Sequence, residues 1–219
     1  MRKIFIGLIA FMGLLTLAGC QKKTQATYLK TPYTRNEFVM GTTCTLTIYD
    51  KGKKSALKDG FAMIHHVDAE ATLTRGGSVL DKINANAGVK PVKVPKDFMP
   101  LLEKAYYFSK NSNGSFDMAI GAVTNLWQIG LPGARVPAQS EITQALPLVN
   151  WRDVKLDTKN NTAYLTKKGM RLDFGGIAKG WVADKVREVL RKDGVTAAII
   201  DLGGNVVVMG HSPLGAKRD

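Results

Sequence analysis

The sequence contains only two cysteines and three histidines among its 219 residues. Cys20 and Cys44 do not have the spacing of zinc ligands, and no metalloprotease motif surrounds His65 and His66. Because neighbouring residues on a helix point in different directions, we expect these two histidines at the surface rather than at a metal. A Walker phosphate loop and a kinase glycine loop are also missing. These absences exclude a disulfide-rich fold and several common enzyme classes.

Acidic residues are scarce as well. The 18 Asp and Glu residues face 31 Lys and Arg residues, which gives a net charge of +13. Basic chains often bind nucleic acid, but no aromatic-basic ribonucleoprotein motif is present, so we expect no nucleic-acid partner. The segment 21–35 carries basic residues and no acid. This pattern favours a solvated tether close to an anionic membrane surface.

The N-terminus has the organisation of a targeting signal. An apolar run follows Arg2 and Lys3 and ends in Leu17-Ala18-Gly19-Cys20. The run is too short to span a bilayer comfortably, and small residues directly before a cysteine are typical of a bacterial lipoprotein signal. A transmembrane anchor, or a signal peptide with an incidental cysteine, is the alternative. We predict a signal peptide over 1–19, a lipid on Cys20 that anchors the protein at the extracytoplasmic side of a membrane, and a basic tether over 20–35.

The remaining chain, 36–219, mixes strand and helix patterns. Residues 39–49 alternate, with Cys44, Leu46 and Ile48 on one face, as in a half-buried antiparallel strand. Further strands are predicted at 154–156, 163–165, 170–174, 197–200 and 206–209, joined by tight turns. Helices are predicted to begin near Ser55, Ser78, Asp97 and Ile177, and the third should turn Leu101, Leu102, Ala105 and Phe108 inward. The mixture predicts a single α+β domain, mainly antiparallel sheet with packed helices.

Two glycine-rich segments could carry chemistry. Asp173-Phe174-Gly175-Gly176 joins a predicted strand to a helix that contains Lys179 in its first turn. Glycine lets a ligand approach the backbone, and the free N–H groups of a helix start, together with a lysine, favour an anion such as phosphate. An ordinary strand-to-helix turn with an exposed lysine has the same pattern. The second segment, 201–205, equally fits a plain hairpin turn.

Taken together, six segments resemble the ApbE family of FAD:protein FMN transferases, because they occur in that family's order. They are Met40-Gly41-Thr42, 78–84, 113–117, Leu126-Trp127, 173–180 with Ala183-Asp184, and 202–205. The resemblance covers roughly 36–210, which is almost the whole chain after the tether. The lipoprotein leader agrees with it, since many members of the family are extracytoplasmic lipoproteins.

The resemblance implies a reaction and a set of residue roles. The reaction is the Mg²⁺-dependent transfer of FMN from FAD to a Thr or Ser hydroxyl of an extracytoplasmic flavoprotein subunit, with release of AMP. In the family's pattern, Met40 packs on the flavin ring, Ser115, Phe116 and Asp117 contact FAD, Asp173 holds the cofactor, Lys179 acts at the pyrophosphate, and the Gly176 carbonyl ligates Mg²⁺. Cations and dipoles at these places suit a reaction in which charge shifts on a pyrophosphate.

Two departures from the family pattern leave alternatives open. Thr74, which we also expect among the flavin contacts, stands where family members usually carry a tyrosine, so FAD hydrolysis or FAD binding without turnover is an alternative. The family pattern also continues with a Thr-Ser-Gly segment, a late histidine and an Asp-Ala-x-x-Thr run that supplies magnesium ligands. The chain contains none of these. We therefore expect 36–219 to be the N-terminal two thirds of the domain, and an inactive fragment is a third alternative.

Overall fold

Two antiparallel sheets and the helices packed on them make up the computed structural model, which describes residues 28–73 and 76–211. In chain order the strands are β1 (Tyr28–Val39), β2 (Thr42–Asp50), β3 (Val92–Lys93), β4 (Val154–Asp157), β5 (Thr162–Leu165), β6 (Ala198–Leu202) and β7 (Asn205–Met209). The α-helices are α1 (Ala56–Ala71), α2 (Val79–Ala85), α3 (Met99–Asn111), α4 (Gly121–Thr124), α5 (Gln139–Ala145) and α6 (Ala178–Lys192). The α+β prediction is confirmed. The residues Cys20 and Thr74 lie outside the described part.

The larger sheet has the strand order β1-β2-β6-β7, and the smaller has the order β3-β5-β4. Two-residue turns close two hairpins of the larger sheet, at Met40-Gly41 and at Gly203-Gly204. All four turn residues have positive φ, as a type I′ turn requires. A Cβ on Gly203 would overlap Thr42 Oγ1, so only glycine fits there. Both turns therefore lie side by side at one end of the sheet.

The core has two parts. In one, Cys44, Leu46 and Ile48 of β2 are fully buried against α1 and α6, as the alternating pattern predicts. The other part gathers α2, α3, the smaller sheet and the buried side chains of segment 170–174. Burial of this apolar surface supplies the main driving force for the fold. Within the described ranges, no helix combines the length and the apolar character needed to cross a bilayer.

Strand β1 differs from the sequence prediction, which places residues 28–35 in a tether. Tyr28 to Arg35 instead form most of β1 and pair with β2. Most side chains of β1 are exposed or only partly buried, so its sequence lacks the alternation of apolar residues that indicates a strand.

Three further predictions are wrong in detail. Segment 170–174 has the buried alternation of a strand, but it makes only an isolated bridge between Arg171 and Ile120. Phe108 is 43% exposed rather than inward, because it lies at an apolar groove on the surface. Ser55 precedes α1, but its backbone is already helical and its side chain makes no capping hydrogen bond. Ser78 does cap α2, since its Oγ accepts a hydrogen bond from Asp81 N at 2.9 Å.

Candidate functional site

A cleft of about 210 Å³ opens beside the first turn of α6. Its walls are Met40, Gly41, Asp68, Ala71, Thr72, Leu73, Asp173, Phe174, Gly175, Ala178 and Lys179. The structure thus brings together Met40, Asp173 and Lys179, three residues named from the sequence. Pockets for drug-sized ligands measure about 300–1,000 Å³, so the cleft has room for part of a dinucleotide.

The start of α6, beside this cleft, has free hydrogen-bond donors. The Ala178 amide donates to the Phe174 carbonyl at 2.7 Å, whereas no described group accepts from the amides of Lys179 and Gly180. A Cβ on Gly180 would meet no atom within 4 Å outside the backbone of its own helix, so this side of the first turn is open. Over the described ranges, Lys179 Nζ also has no hydrogen-bond or ion-pair partner. Free amides, the helix dipole and an ammonium together form a site for an anion.

Asp173 is held in one orientation at the wall of the cleft. Its Oδ2 accepts a hydrogen bond from Thr124 Oγ1 at 2.5 Å, and its Oδ1 accepts from the Gly175 amide at 2.7 Å. The backbone amide of Asp173 donates to the Met118 carbonyl at 3.0 Å. The carboxylate therefore shapes the turn before α6 and keeps its remaining lone pairs for a ligand.

Thr124 reaches Asp173 because α4 approaches the chain at 171–172 very closely. A Cβ on Gly121 would lie 2.7 Å from the carbonyl oxygens of both Arg171 and Leu172. Real Cβ atoms do not come so near to backbone oxygens, so this contact needs glycine. Sequence patterns did not identify Thr124, since no motif connects it with a partner 49 positions away.

Met40 occupies an unusual backbone position in the β1–β2 turn. Its φ is +56°, which is uncommon for a bulky residue without a short polar side chain. The side chain is partly buried, contacts both parts of the core and lines the cleft. A flexible, polarisable thioether suits contact with an aromatic ring.

The segment Ser115-Phe116-Asp117 does not line the cleft. Asp117 instead joins two parts of the backbone, because Oδ1 accepts from Ala119 N at 2.8 Å and Oδ2 from Trp151 N at 2.9 Å. Ser115 is exposed. Of the three predicted residues, only Phe116 touches the glycine turn, where its ring would lie 3.2 Å from a Cβ on Gly176.

Gly175 and Gly176 face two different hollows. Gly175 lines the cleft, whereas Gly176 lines an apolar groove with Phe108, Ser112, Phe116 and Ile177. In the described structure no hydrogen-bond donor reaches the carbonyl of Gly176. A free backbone carbonyl is an oxygen ligand of the kind that Mg²⁺ accepts.

The C-terminal end of α1 forms the wall that the sequence analysis missed. Asp68, Ala71, Thr72 and Leu73 all line the cleft. The buried stripe of α1 ends at Val67, so the next turn of this helix lies at the core boundary. The end of the apolar stripe before the end of the helix was the sequence signal for this wall. Residue types alone did not distinguish a cleft wall from an ordinary helix end.

Cys44 is a buried thiol on the inner face of β2. Its Sγ lies 3.6 Å from the Val39 carbonyl oxygen, to which it donates a weak hydrogen bond. Burial raises the pKa of the Cys44 thiol, and the positive charge of Lys179 acts in the opposite direction. The prediction that Cys44 shares one face of a half-buried strand with Leu46 and Ile48 is confirmed, and this face lies in the core.

Comparisons with known proteins agree on one family. A model of the ApbE family matches residues 40–217. Similar curated proteins include the FAD:protein FMN transferases of Treponema pallidum, 36% identical over 81% of this chain and 52% of that protein, and of Klebsiella pneumoniae, 35% identical over 85% and 58%. The solved ApbE protein of Thermotoga maritima superposes with a TM-score of 0.75 at 27% identity, over 82% of this chain and 59% of that one. The apo flavinyl transferase ApbE of Pseudomonas stutzeri superposes with a TM-score of 0.73 at 24% identity, over 84% and 62%. The chain thus spans about half to three fifths of the curated relatives' length.

Proposed function

Because the chain belongs to the ApbE family, we propose that it transfers FMN from FAD to a threonine or serine hydroxyl of an extracytoplasmic flavoprotein subunit and releases AMP. The observation that carries this proposal is the meeting of Met40, Asp173 and Lys179 at the open start of α6. The names of the curated relatives give FAD as the donor and a protein as the acceptor.

In the proposed reaction, the acceptor hydroxyl oxygen forms a bond with the phosphorus on the FMN side of the pyrophosphate. The bond from that phosphorus to the bridging oxygen breaks, AMP leaves with the bridging oxygen, and the hydroxyl proton passes to solvent. Lys179 Nζ and the amides of Lys179 and Gly180 stabilise the negative charge on the phosphates. These donors are already in place before the ligand arrives, so little reorganisation is needed.

The other residues of the site position the ligand. Met40 contacts the flavin ring, and Asp173, oriented by Thr124, hydrogen-bonds the cofactor. Phe116 meets FAD from the other side of the glycine turn, with Ser115 beside it. Asp117 supports this turn through its backbone contacts with Ala119 and Trp151. Thr74 remains part of the proposed flavin contacts.

One oxygen ligand is available for a magnesium ion that is shared with the substrate, namely the backbone carbonyl of Gly176. Mg²⁺ commonly keeps several waters and binds one or two protein oxygens beside substrate phosphates. The free carbonyl of Gly176 would hold it together with pyrophosphate oxygens. When bound, Mg²⁺ supplies neutralisation of the phosphate charge.

The test of this function is to incubate the full chain with FAD, Mg²⁺ and a threonine-bearing acceptor peptide. Transfer predicts AMP in solution and a gain of one FMN unit on the peptide in its mass spectrum. A matched peptide with valine in place of the threonine should gain no mass. Free AMP together with free FMN would indicate FAD hydrolysis instead, and unchanged FAD would contradict both activities.

We also propose that a lipid on Cys20 holds the protein at the extracytoplasmic face of a membrane. Support comes from the small residues before Cys20 and the basic segment after it. Cys20→Ala removes the thiol that is acylated, so the variant should stay uncleaved or leave the membrane fraction. A Cys20→Ala protein that is cleaved normally and stays membrane-bound would overturn the anchor.

A further inference from the structure

A second group of side chains lies on the opposite face of α1 from the cleft. His66 and Glu70 stand one turn apart on this helix, and Asp97 comes from the loop before α3. The ligand atoms of these three residues all lie within 4.8 Å of one another. They border a hollow that shares no lining residue with the cleft.

The distances in this group suit a transition metal. His66 Nε2 lies 2.9 Å from Asp97 Oδ2 and 3.6 Å from Glu70 Oε2. Zinc bonds of about 2.0–2.2 Å to nitrogen and oxygen, in tetrahedral geometry, place neighbouring ligand atoms about 3.3 Å apart. The two observed distances lie on either side of this value. Small side-chain rotations would therefore bring all three atoms around one ion.

The charges in this group favour a cation. Over the described ranges, His66 is the only basic side chain within ion-pair distance of Glu70 or Asp97. Lys185, at the rim of the same hollow, pairs with Glu188 at 3.0 Å and lies over the Trp181 ring. Two carboxylates thus share one imidazole. The Glu70 side chain is only 14% exposed, so its carboxylate is poorly solvated.

The surroundings hold the three residues in place and leave an opening. Val67 and Phe98, which adjoin His66 and Asp97 in the chain, are buried in the core. The side chains of His66 and Asp97 are 48% and 64% exposed, so an ion can enter from solvent. Neutral imidazole with carboxylates is a donor set for zinc rather than for Mg²⁺ or Ca²⁺, which prefer oxygen ligands alone.

We propose that His66, Glu70 and Asp97 bind a zinc ion, with water in the remaining coordination position. The ion would connect the second half of α1 with the segment that leads into α3. A ligand that binds only the folded chain stabilises it, so zinc should raise the unfolding temperature.

The test is to titrate the EDTA-treated full chain with Zn²⁺ in a calorimeter and to record its unfolding temperature. We expect saturable binding of a single ion and a higher unfolding temperature. His66→Ala, which removes a direct ligand from an exposed position, should weaken this binding by roughly tenfold or more. Glu70→Gln should have the same effect while it keeps the shape of the side chain.

His65→Ala is the matched control. His65 occupies the neighbouring position on α1, but its Nε2 pairs with Glu37 at 2.6 Å. The His65→Ala substitution should therefore leave zinc binding unchanged. Both histidine variants keep Cys20 and His211, so zinc binding at those residues cancels in the comparison. The absence of zinc binding, or equal binding by the His65→Ala and His66→Ala variants, would overturn the proposal. Because the assay uses no flavin, its outcome is independent of the proposed transfer reaction.

Discussion

Asn84 makes two hydrogen bonds with the backbone of Leu172, which lies 88 positions further along the chain. Its Nδ2 donates to the Leu172 carbonyl at 3.1 Å, and its Oδ1 accepts from the Leu172 amide at 2.7 Å. The Asn84 side chain thus satisfies the backbone N–H and C=O of Leu172, which a neighbouring strand would satisfy in a sheet. The segment that carries Asp173 to the cleft is therefore fixed without belonging to a sheet.

Loss of this side chain should destabilise the fold. Asn84→Ala leaves a buried amide and a buried carbonyl without partners, so we expect the free energy of unfolding to fall by about 2–4 kcal/mol in urea denaturation. Asn86→Ala is the control, because Asn86 is only partly buried and its side chain makes one local hydrogen bond, to the Lys82 carbonyl. It should cost less than about 1 kcal/mol. Equal losses for both variants would show that the Leu172 contact is unimportant.

The close approach at Gly121 gives a prediction of the same kind. In Gly121→Ala the new Cβ would collide with two backbone carbonyls, which cannot move as a flexible side chain can. We expect unfolding to become easier by about 1–3 kcal/mol. Gly180→Ala in ligand-free protein should instead raise the free energy of unfolding by about 0.5–1 kcal/mol. Its Cβ would meet no atom within 4 Å outside the backbone of its own helix, and alanine favours the helix. If urea denaturation gave Gly121→Ala the same free energy of unfolding as the unchanged protein, the close approach at Gly121 would not require glycine.

Lys179 should distinguish between ligands with and without phosphate. Lys179→Ala removes an ammonium from the proposed pyrophosphate site, so FAD should bind roughly tenfold more weakly or worse, while riboflavin binding stays the same. Flavin fluorescence titration measures both affinities. Lys185→Ala is the matched control, because Lys185 lies on the same helix outside the cleft and pairs with Glu188. If riboflavin affinity falls as far as FAD affinity, Lys179 does not act on the phosphates.

The buried thiol of Cys44 should be unreactive in the folded protein. Burial excludes reagents and raises its pKa, so it holds less thiolate at a given pH than an exposed cysteine does. In a Cys20→Ser background, Ellman's reagent at pH 8 should label Cys44 only as urea unfolds the chain. Rapid labelling without urea would mean that the inner face of β2 opens in the native state.

Local sequence patterns predicted those parts of the fold in which neighbouring residues along the chain determine the secondary structure. The β2 face, the α6 helix and the Gly203-Gly204 turn all depend on alternation, periodicity or turn chemistry within a few residues, and each is confirmed. Segment 170–174 was predicted less well, because its structure depends on residues that are distant in the sequence. Its alternation correctly indicates burial, but its partners are Asn84 and Ile120, which no local pattern identifies.

The same distinction applies to the site. Lys179 was predicted from local features, a glycine segment and a helix start, whereas Met40 and Asp173 were predicted from the resemblance to the family. The structure gathers all three in the cleft. Thr124 and the α1 wall could not be found this way, since their places depend on how distant elements pack. Asp117 matched a motif, yet its carboxylate binds backbone amides on both sides.

At the Met40 turn, the residue that best suits the backbone conformation differs from the residue that lines the cleft. A non-glycine residue in the left-handed region costs about 1–3 kcal/mol, and asparagine tolerates it better than methionine does. As far as backbone conformation is concerned, selection for stability alone would therefore favour asparagine over methionine at this position. Libraries screened only for expression or melting temperature would keep such variants and would not detect a loss of the proposed contact between Met40 and flavin.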